Sequence, residues 1–169
     1  RLRVDGMRKA GLRAVICPDA NSTLRLTYGK VSPLPYDKRN DAKENYYTTL
    51  KGTVKKFVDD DPEFDLPQGL IDLYESKDFG PYADDDGYMP VNFLTNNDIT
   101  GGNSGSPVLN GKGELIGLAF DGNIEAMAGD VIFDNKLQKT INVDIRYVLF
   151  LIDKYAGAKH IVDEMTVIK

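Results

Sequence analysis

The chain has one cysteine, Cys17, one histidine, His160, and no tryptophan. A lone cysteine excludes an internal disulfide and any metal site built on paired thiolates; it is read as a small buried hydrophobe. A lone histidine leaves at most one imidazole for acid–base chemistry. No apolar run approaches the ~20 residues of a helical membrane span. Positive charge is not in excess either: the formal net charge is −5, against the basic footprint that nucleic-acid binding requires. What is present is ordinary for a globular domain. The 169 residues, 41% hydrophobic and 28% charged, suffice for one domain with its own core. There is no internal repeat. The chain opens on RLRVDGMRKAGL rather than on Met, which reads as a start within a longer protein, so a missing leader says nothing about compartment.

Periodicity divides the chain into short elements. NSTLRLTYGKV, 21–31, alternates apolar and polar residues and predicts a half-buried strand. SPLPYDKRNDAKEN follows as a polar loop, and YYTTLKGTVKKFV, 46–58, is rich in β-formers and predicts another strand. Pro67, then Leu70, Leu73 and Tyr74 on one face, then Gly80, predict a short helix with its start and stop. The aspartate clusters at 59–61 and 84–86 lack the spacing of a calcium loop and read as solvated turns. PVLN, GKGE and LIGLAF predict a hairpin, and MAGDVIFDN a further strand. Ile145, Val148, Leu149 and Ile152 follow helical spacing, with Gly157 placed to end the helix. Short antiparallel strands with a closing helix give a mainly β class, a barrel or sandwich.

The stretch TGGNSGSPVLNGKGELIGLAFDGN, 100–123, carries the chemical interest. A serine that attacks a carbonyl must stand on a tight turn, among small neighbours, with backbone N–H groups converging on the developing oxyanion. GGNSGSP supplies these features: Gly102 and Gly105 permit unusual dihedrals, and the amides of Gly102 and Ser104 can face one oxygen. A Ser-Gly hairpin loop would use the same residue types, so the local motif leaves both readings open. The context favours chemistry. The pattern G-[DN]-S-G-[GS]-P, then a strand, a turn and a glycine-containing strand, with a helix at INVDIRYVLFLIDKYAG, resembles the trypsin-like serine peptidases.

The resemblance narrows further. PDANSTLRLTYGKV, YYTTLKG, TNNDITGGNSGSPV, FDGNIEAMAGD and VDIRYVLFLID together resemble the bacterial dipeptidyl peptidases of the dipeptidyl-peptidase-seven and dipeptidyl-peptidase-eleven type, over most of residues 17–168. It implies a trypsin-like antiparallel β-barrel, the second of a double-barrel serine exopeptidase, with a short inserted helix and a C-terminal helix. Residues 17–169 would form that barrel, and 1–16 the exit from an upstream helical region. Ser104 would be the nucleophile, and the N–H groups of Gly102 and Ser104 the oxyanion hole. Asp121 would hold the substrate's α-ammonium group, and Gly122 would shape the S1 pocket. Acidic-specific relatives carry an arginine at the position of Gly122, so its absence implies an open, uncharged pocket for apolar P1 side chains. Neither metal nor cofactor is implied. The expected partners are an oligopeptide with a free N-terminus, the first barrel and helical domain of the same enzyme, and a second copy of the parent. The resemblance places the parent in the periplasm or at the surface of a Gram-negative bacterium.

The base is expected elsewhere. His160 follows Ser104 by 56 residues, whereas in trypsin-like enzymes the base precedes the serine; a surface role suits it. The catalytic histidine and aspartate would lie in the first barrel, leaving the isolated 169-residue chain inactive. The order of an α/β hydrolase is excluded because Ser106 stands where G-x-S-x-G requires its second glycine. Asp98, six residues before Ser104, sits where trypsin-like enzymes select basic P1 residues, but the surrounding NNDITGGNSG also resembles the acidic-specific dipeptidyl peptidases, so Asp98 need not set a basic preference. Two other functions compete: an endopeptidase of the periplasmic quality-control type, and a non-catalytic interaction domain.

Overall fold

The computed structural model describes residues 24–35, 45–128, 134 and 136–168. Cys17, the segment 1–16 and most of the strand expected at 127–135 lie outside them. The fold is mainly β, as expected: among the described residues, a five-stranded antiparallel sheet with short helices packed against it. In chain order the strands are β1 (Tyr47–Thr49), β2 (Pro90–Thr95), β3 (Pro107–Leu109), β4 (Leu115–Gly122) and β5 (Thr140–Asp144), arranged β1-β2-β5-β4-β3. The helices are α1 (Leu50–Lys55), α2 (Gln68–Ser76), α3 (Ile145–Phe150) and α4 (Lys159–Asp163).

Several elements follow directly from local sequence. The hairpin β3–β4 turns at Asn110, whose Oδ1 accepts from the N–H groups of Lys112 and Glu114 at 2.9 and 3.1 Å, with Gly113 at φ +81°. Asp61 Oδ1 accepts from Glu63 and Phe64, and Asp84 Oδ1 from Asp86 and Tyr88. Both acidic clusters are therefore side-chain-closed turns. Helix α3 begins at Asp144, whose carboxylate accepts from the Arg146 backbone at 2.9 Å and pairs with its guanidinium at 2.7 Å. It widens into a π-type turn, Leu151–Tyr155, and Gly157 at φ +65° ends it.

Elsewhere tertiary packing decides. The segment expected as a strand over 46–58 keeps only β1 and then coils into α1. Leu50 is fully buried and its N–H donates to the Met89 carbonyl at 2.8 Å, so the chain leaves the ladder where that side chain must turn inward. Helix α2 forms as expected but stops at Lys77, in the left-handed region at φ +55°, rather than at Gly80. Of the half-buried strand expected at 21–31, the described residues 24–31 form a single bridge, Val31 to Thr95, and Leu24, Leu26 and Tyr28 are almost wholly exposed. Alternation marks an extended segment with one apolar side; no described element covers that side. His160, expected beyond the last helix, lies on α4, which restarts after Gly157 with Lys159 paired to Asp163 and Val162 buried.

The main apolar cluster lies between the helices and one end of the sheet, centred on Leu50, Met89 and Phe150, with Phe79 edge-on to Phe150 at 6.1 Å. Gly117 lets β4 approach its neighbours: a Cβ there would meet the Val143 carbonyl oxygen at 2.6 Å and the Phe93 ring at 2.8 Å.

Tyr82, 5% exposed, donates to Asp153 Oδ2 at 2.8 Å. Burial, and then the Asp153 bond and charge, push its phenol up to about 12 from 10.0. The folded state therefore holds this proton more tightly than the unfolded chain. The resulting stabilisation is complete below pH 10 and is lost as pH rises towards 12. Urea titrations between pH 9 and 11.5 are expected to show a steeper loss of stability above pH 10 for the native sequence than for Tyr82→Phe. Parallel slopes would contradict this assignment.

Candidate active site

The serine loop, Thr100–Ser106, joins β2 to β3 and lies against the far end of β4. Three hydrogen bonds fasten it there. The Gly105 N–H donates to the Ala119 carbonyl at 2.7 Å, the Ala119 N–H donates to Ser106 at 2.9 Å, and the Ser104 hydroxyl donates to the Phe120 carbonyl at 3.3 Å. A bulge makes the last contact available. The register of β4 on β5 shifts between Ala119, opposite Asn142, and Asp121, opposite Ile141, leaving Phe120 outside the ladder.

Within the loop, Asn103 closes a turn on itself: its N–H donates to the Thr100 carbonyl at 3.1 Å, and its Oδ1 accepts from the Thr100 N–H at 3.0 Å. The Ser106 N–H donates to the Asn103 carbonyl at 2.9 Å. Gly102 has φ +95° and Gly105 φ +81°. Both lie in the region that side chains disfavour, which is why glycine stands on each side of Asn103-Ser104. The N–H groups of Asn103, Gly105 and Ser106 are thus spent. Those of Gly102 and Ser104 meet no acceptor among the described residues and take no part in sheet pairing. Ser104 is exposed. Two unspent amides and the exposed Ser104 lie within one short arc of backbone, which gives the loop donors able to stabilise negative charge on an oxygen beside the serine.

Asp121 and Gly122 end β4, directly after the residue whose carbonyl holds Ser104. Asp121 is exposed, and its Oδ1 accepts from the Gly122 N–H at 2.7 Å. Gly122 is half-buried against the 3₁₀ turn Ile124–Ala128; a Cβ at 122 would lie 2.7 Å from Ala126 Cβ. The fold thus fastens Ser104, two residues after Gly102, to the carbonyl of Phe120, the residue before Asp121 and Gly122. It does not bring His160 to them: that side chain is exposed on α4, which packs against the turn Leu151–Tyr155. Asp98 is half-buried and, with Arg25, Leu26 and Ile99, lines a cleft of about 230 Å³ beside the loop. No group of three or more metal-ligating side chains occurs among the described residues.

Sequence reasoning missed Asn123. Its N–H donates to the Lys139 carbonyl, its Oδ1 accepts from the Lys139 N–H, and its Nδ2 donates to the Leu137 carbonyl and to Glu125, at 2.7–3.0 Å. This amide ties the end of β4 to the start of β5 and fixes the turn bearing Ala126. In sequence it is one more Asn after Asp-Gly, with nothing to separate it from an ordinary turn residue.

A family profile described as Peptidase S46 matches residues 3–167. Among curated proteins, the chain is 68% identical over 170 residues to a dipeptidyl-peptidase 7 of Capnocytophaga gingivalis, covering 100% of this chain and 24% of that protein. It is 53% identical over 154 residues to an Asp/Glu-specific dipeptidyl-peptidase of the same organism, covering 91% and 21%. Among solved structures, the crystal structure of Porphyromonas endodontalis DPP11 in complex with substrate superposes with a TM-score of 0.79 at 45% identity, over 88% of this chain and 22% of that one. The chain therefore spans about a quarter of the length of these relatives. A match of this extent, on a loop whose geometry suits acyl transfer, places the chain in the Peptidase S46 family.

Proposed function

We propose that this chain is the nucleophile-bearing part of a serine exopeptidase that releases dipeptides from free N-termini, with an apolar or broad P1 preference. The observation that carries the reading is the serine loop: an exposed Ser104 hydroxyl beside the unspent amides of Gly102 and Ser104. In the reaction Ser104 Oγ attacks the carbonyl of the second residue, and those amides stabilise the resulting oxyanion. The proton from Ser104 passes to a base outside the described residues, which returns it to the departing amine as the C–N bond breaks and the acyl-enzyme forms. Water then releases the dipeptide. The base belongs to the remaining three quarters of an enzyme as long as its relatives.

Counting two residues from a terminus requires a fixed reader of the α-ammonium group. Asp121 is exposed one residue beyond the carbonyl that holds Ser104, so its carboxylate suits that task. The P1 reading rests on Gly122, where Ala126 leaves no room for a side chain without movement of the turn, and no cation at that position can meet an acidic P1 group.

In the intact enzyme, Ser104→Ala is expected to lower kcat/KM on dipeptidyl fluorogenic substrates by at least about a thousandfold. N-terminal acetylation of the substrate should abolish cleavage; continued cutting of the blocked peptide would favour the endopeptidase reading. Asp121→Asn is expected to cost about 10- to 100-fold in kcat/KM on free-amine substrates, the scale of one hydrogen bond to a charged group. A variant with unchanged kinetics would remove Asp121 from the reading. Release after P1 Leu, Met or Phe is expected to outpace release after P1 Asp or Glu, and the reverse order would refute the apolar pocket.

A further inference from the structure

The serine loop leaves β2 through four residues, Asn96 to Ile99, and the first three of these are gripped from two sides. From β5, the hydroxyl of Thr140 donates to the Asn97 carbonyl at 2.9 Å. Thr140 is 1% exposed and pairs with Thr95 at the end of the β2–β5 ladder, so its side chain extends that ladder beyond the last backbone pair. On the opposite edge of β2, the upstream segment lies along the same residues. Asn96 N–H donates to the Lys30 carbonyl at 3.0 Å, the Lys30 N–H donates to Asn96 Oδ1 at 2.8 Å, and the Thr27 hydroxyl donates to the Asp98 carbonyl at 2.7 Å. The approach is close enough to require glycine: a Cβ on Gly29 would lie 2.6 Å from Asn96 Oδ1 and 2.7 Å from the Asn97 nitrogen.

We infer that Thr140 and Gly29 are positioning residues for the nucleophile: by clamping Asn96–Asp98 between β5 and the segment Thr27–Lys30, they set where the serine loop enters the site. The inference rests on the function proposed above. The loop's exit is already fixed by Gly105 and Ser106 on Ala119. With both ends held, the arc carrying the amides of Gly102 and Ser104 has one placement relative to β4. Asp121 belongs to β4 itself, where it pairs with Ile141; its neighbour Gly122 pairs with Thr140 through the backbone ladder, which a change of the Thr140 hydroxyl leaves intact. Loosening the entry therefore displaces the groups that act in the transition state while leaving the proposed amine reader in place.

The test is made in the intact enzyme with Thr140→Val, Thr140→Ser and Gly29→Ala, each checked for folding by thermal unfolding, with Ser104→Ala alongside. Thr140→Val deletes the hydroxyl at nearly constant volume. It is expected to lower kcat by about 10- to 100-fold, the scale of a 1 Å misplacement. KM should stay within about threefold of the native value, since the lost interactions act in the transition state. Thr140→Ser should restore kcat to within about threefold by returning the hydroxyl. Gly29→Ala, on the exposed side, should show the same fall in kcat at constant KM, and it decides the matter should Thr140→Val not fold. Native kcat in the folded variants, a rise in KM alone, or a Thr140→Ser variant as impaired as Thr140→Val would each overturn the inference. An active Ser104→Ala variant would instead refute the proposed function, and so the two failures are distinguishable.

Discussion

The far end of β4 must satisfy two neighbours at once, and the bulge at Phe120 is how it does so. One edge of the strand is held by β5, whose ladder resumes at Asp121 only after Phe120 has been left out. The other edge receives the serine loop through Ala119 and Phe120. A regular strand would direct the Phe120 carbonyl into sheet pairing. The bulged one leaves it to the Ser104 hydroxyl, and Asp121 and Gly122 follow directly in the chain. The proposed nucleophile, amine reader and pocket residue thus adjoin one local distortion.

The surroundings of this distortion are stiff for identifiable reasons. Asn123 uses its backbone N–H and both ends of its side-chain amide to close the β4–β5 connection. On the other side of β5, the buried amide of Asn142 donates to Thr95 Oγ1 at 2.9 Å and to the Phe93 carbonyl at 3.3 Å, binding β5 to β2 through side chains as well as backbone. Buried polar groups of this kind hold one arrangement because every alternative leaves a donor or acceptor unmet. The apolar cluster around Leu50 and Phe150 stabilises the helices at one end of the sheet, and the chemistry is left to loops and strand ends carried on it.

Much of this was legible residue by residue. Hairpin β3–β4 follows from Asn110 and Gly113, helix α3 from its spacing and Gly157, and the serine loop from glycines on either side of Asn103-Ser104. Each is a case in which a dihedral or capping requirement is met by one or two neighbouring side chains. The misreadings share another cause. Leu50 turns the chain into α1 because of Met89, about 40 residues away, and Leu24, Leu26 and Tyr28 alternate without any described element to receive them. Asn123, Ala126 and Thr140 were invisible for the same reason: their meaning lies in partners that no local pattern names.

The sequence by itself determined the punctuation of the chain, the mainly β class and the glycine-flanked serine proposed as nucleophile, because backbone conformation and side-chain chemistry are local properties. Only the tertiary structure decided which amides remain unspent, where β4 breaks register, and that Asn96–Asp98 are held from two sides. These depend on hydrogen bonds and close approaches between segments far apart in the chain, where a difference of an ångström determines whether a donor finds its acceptor.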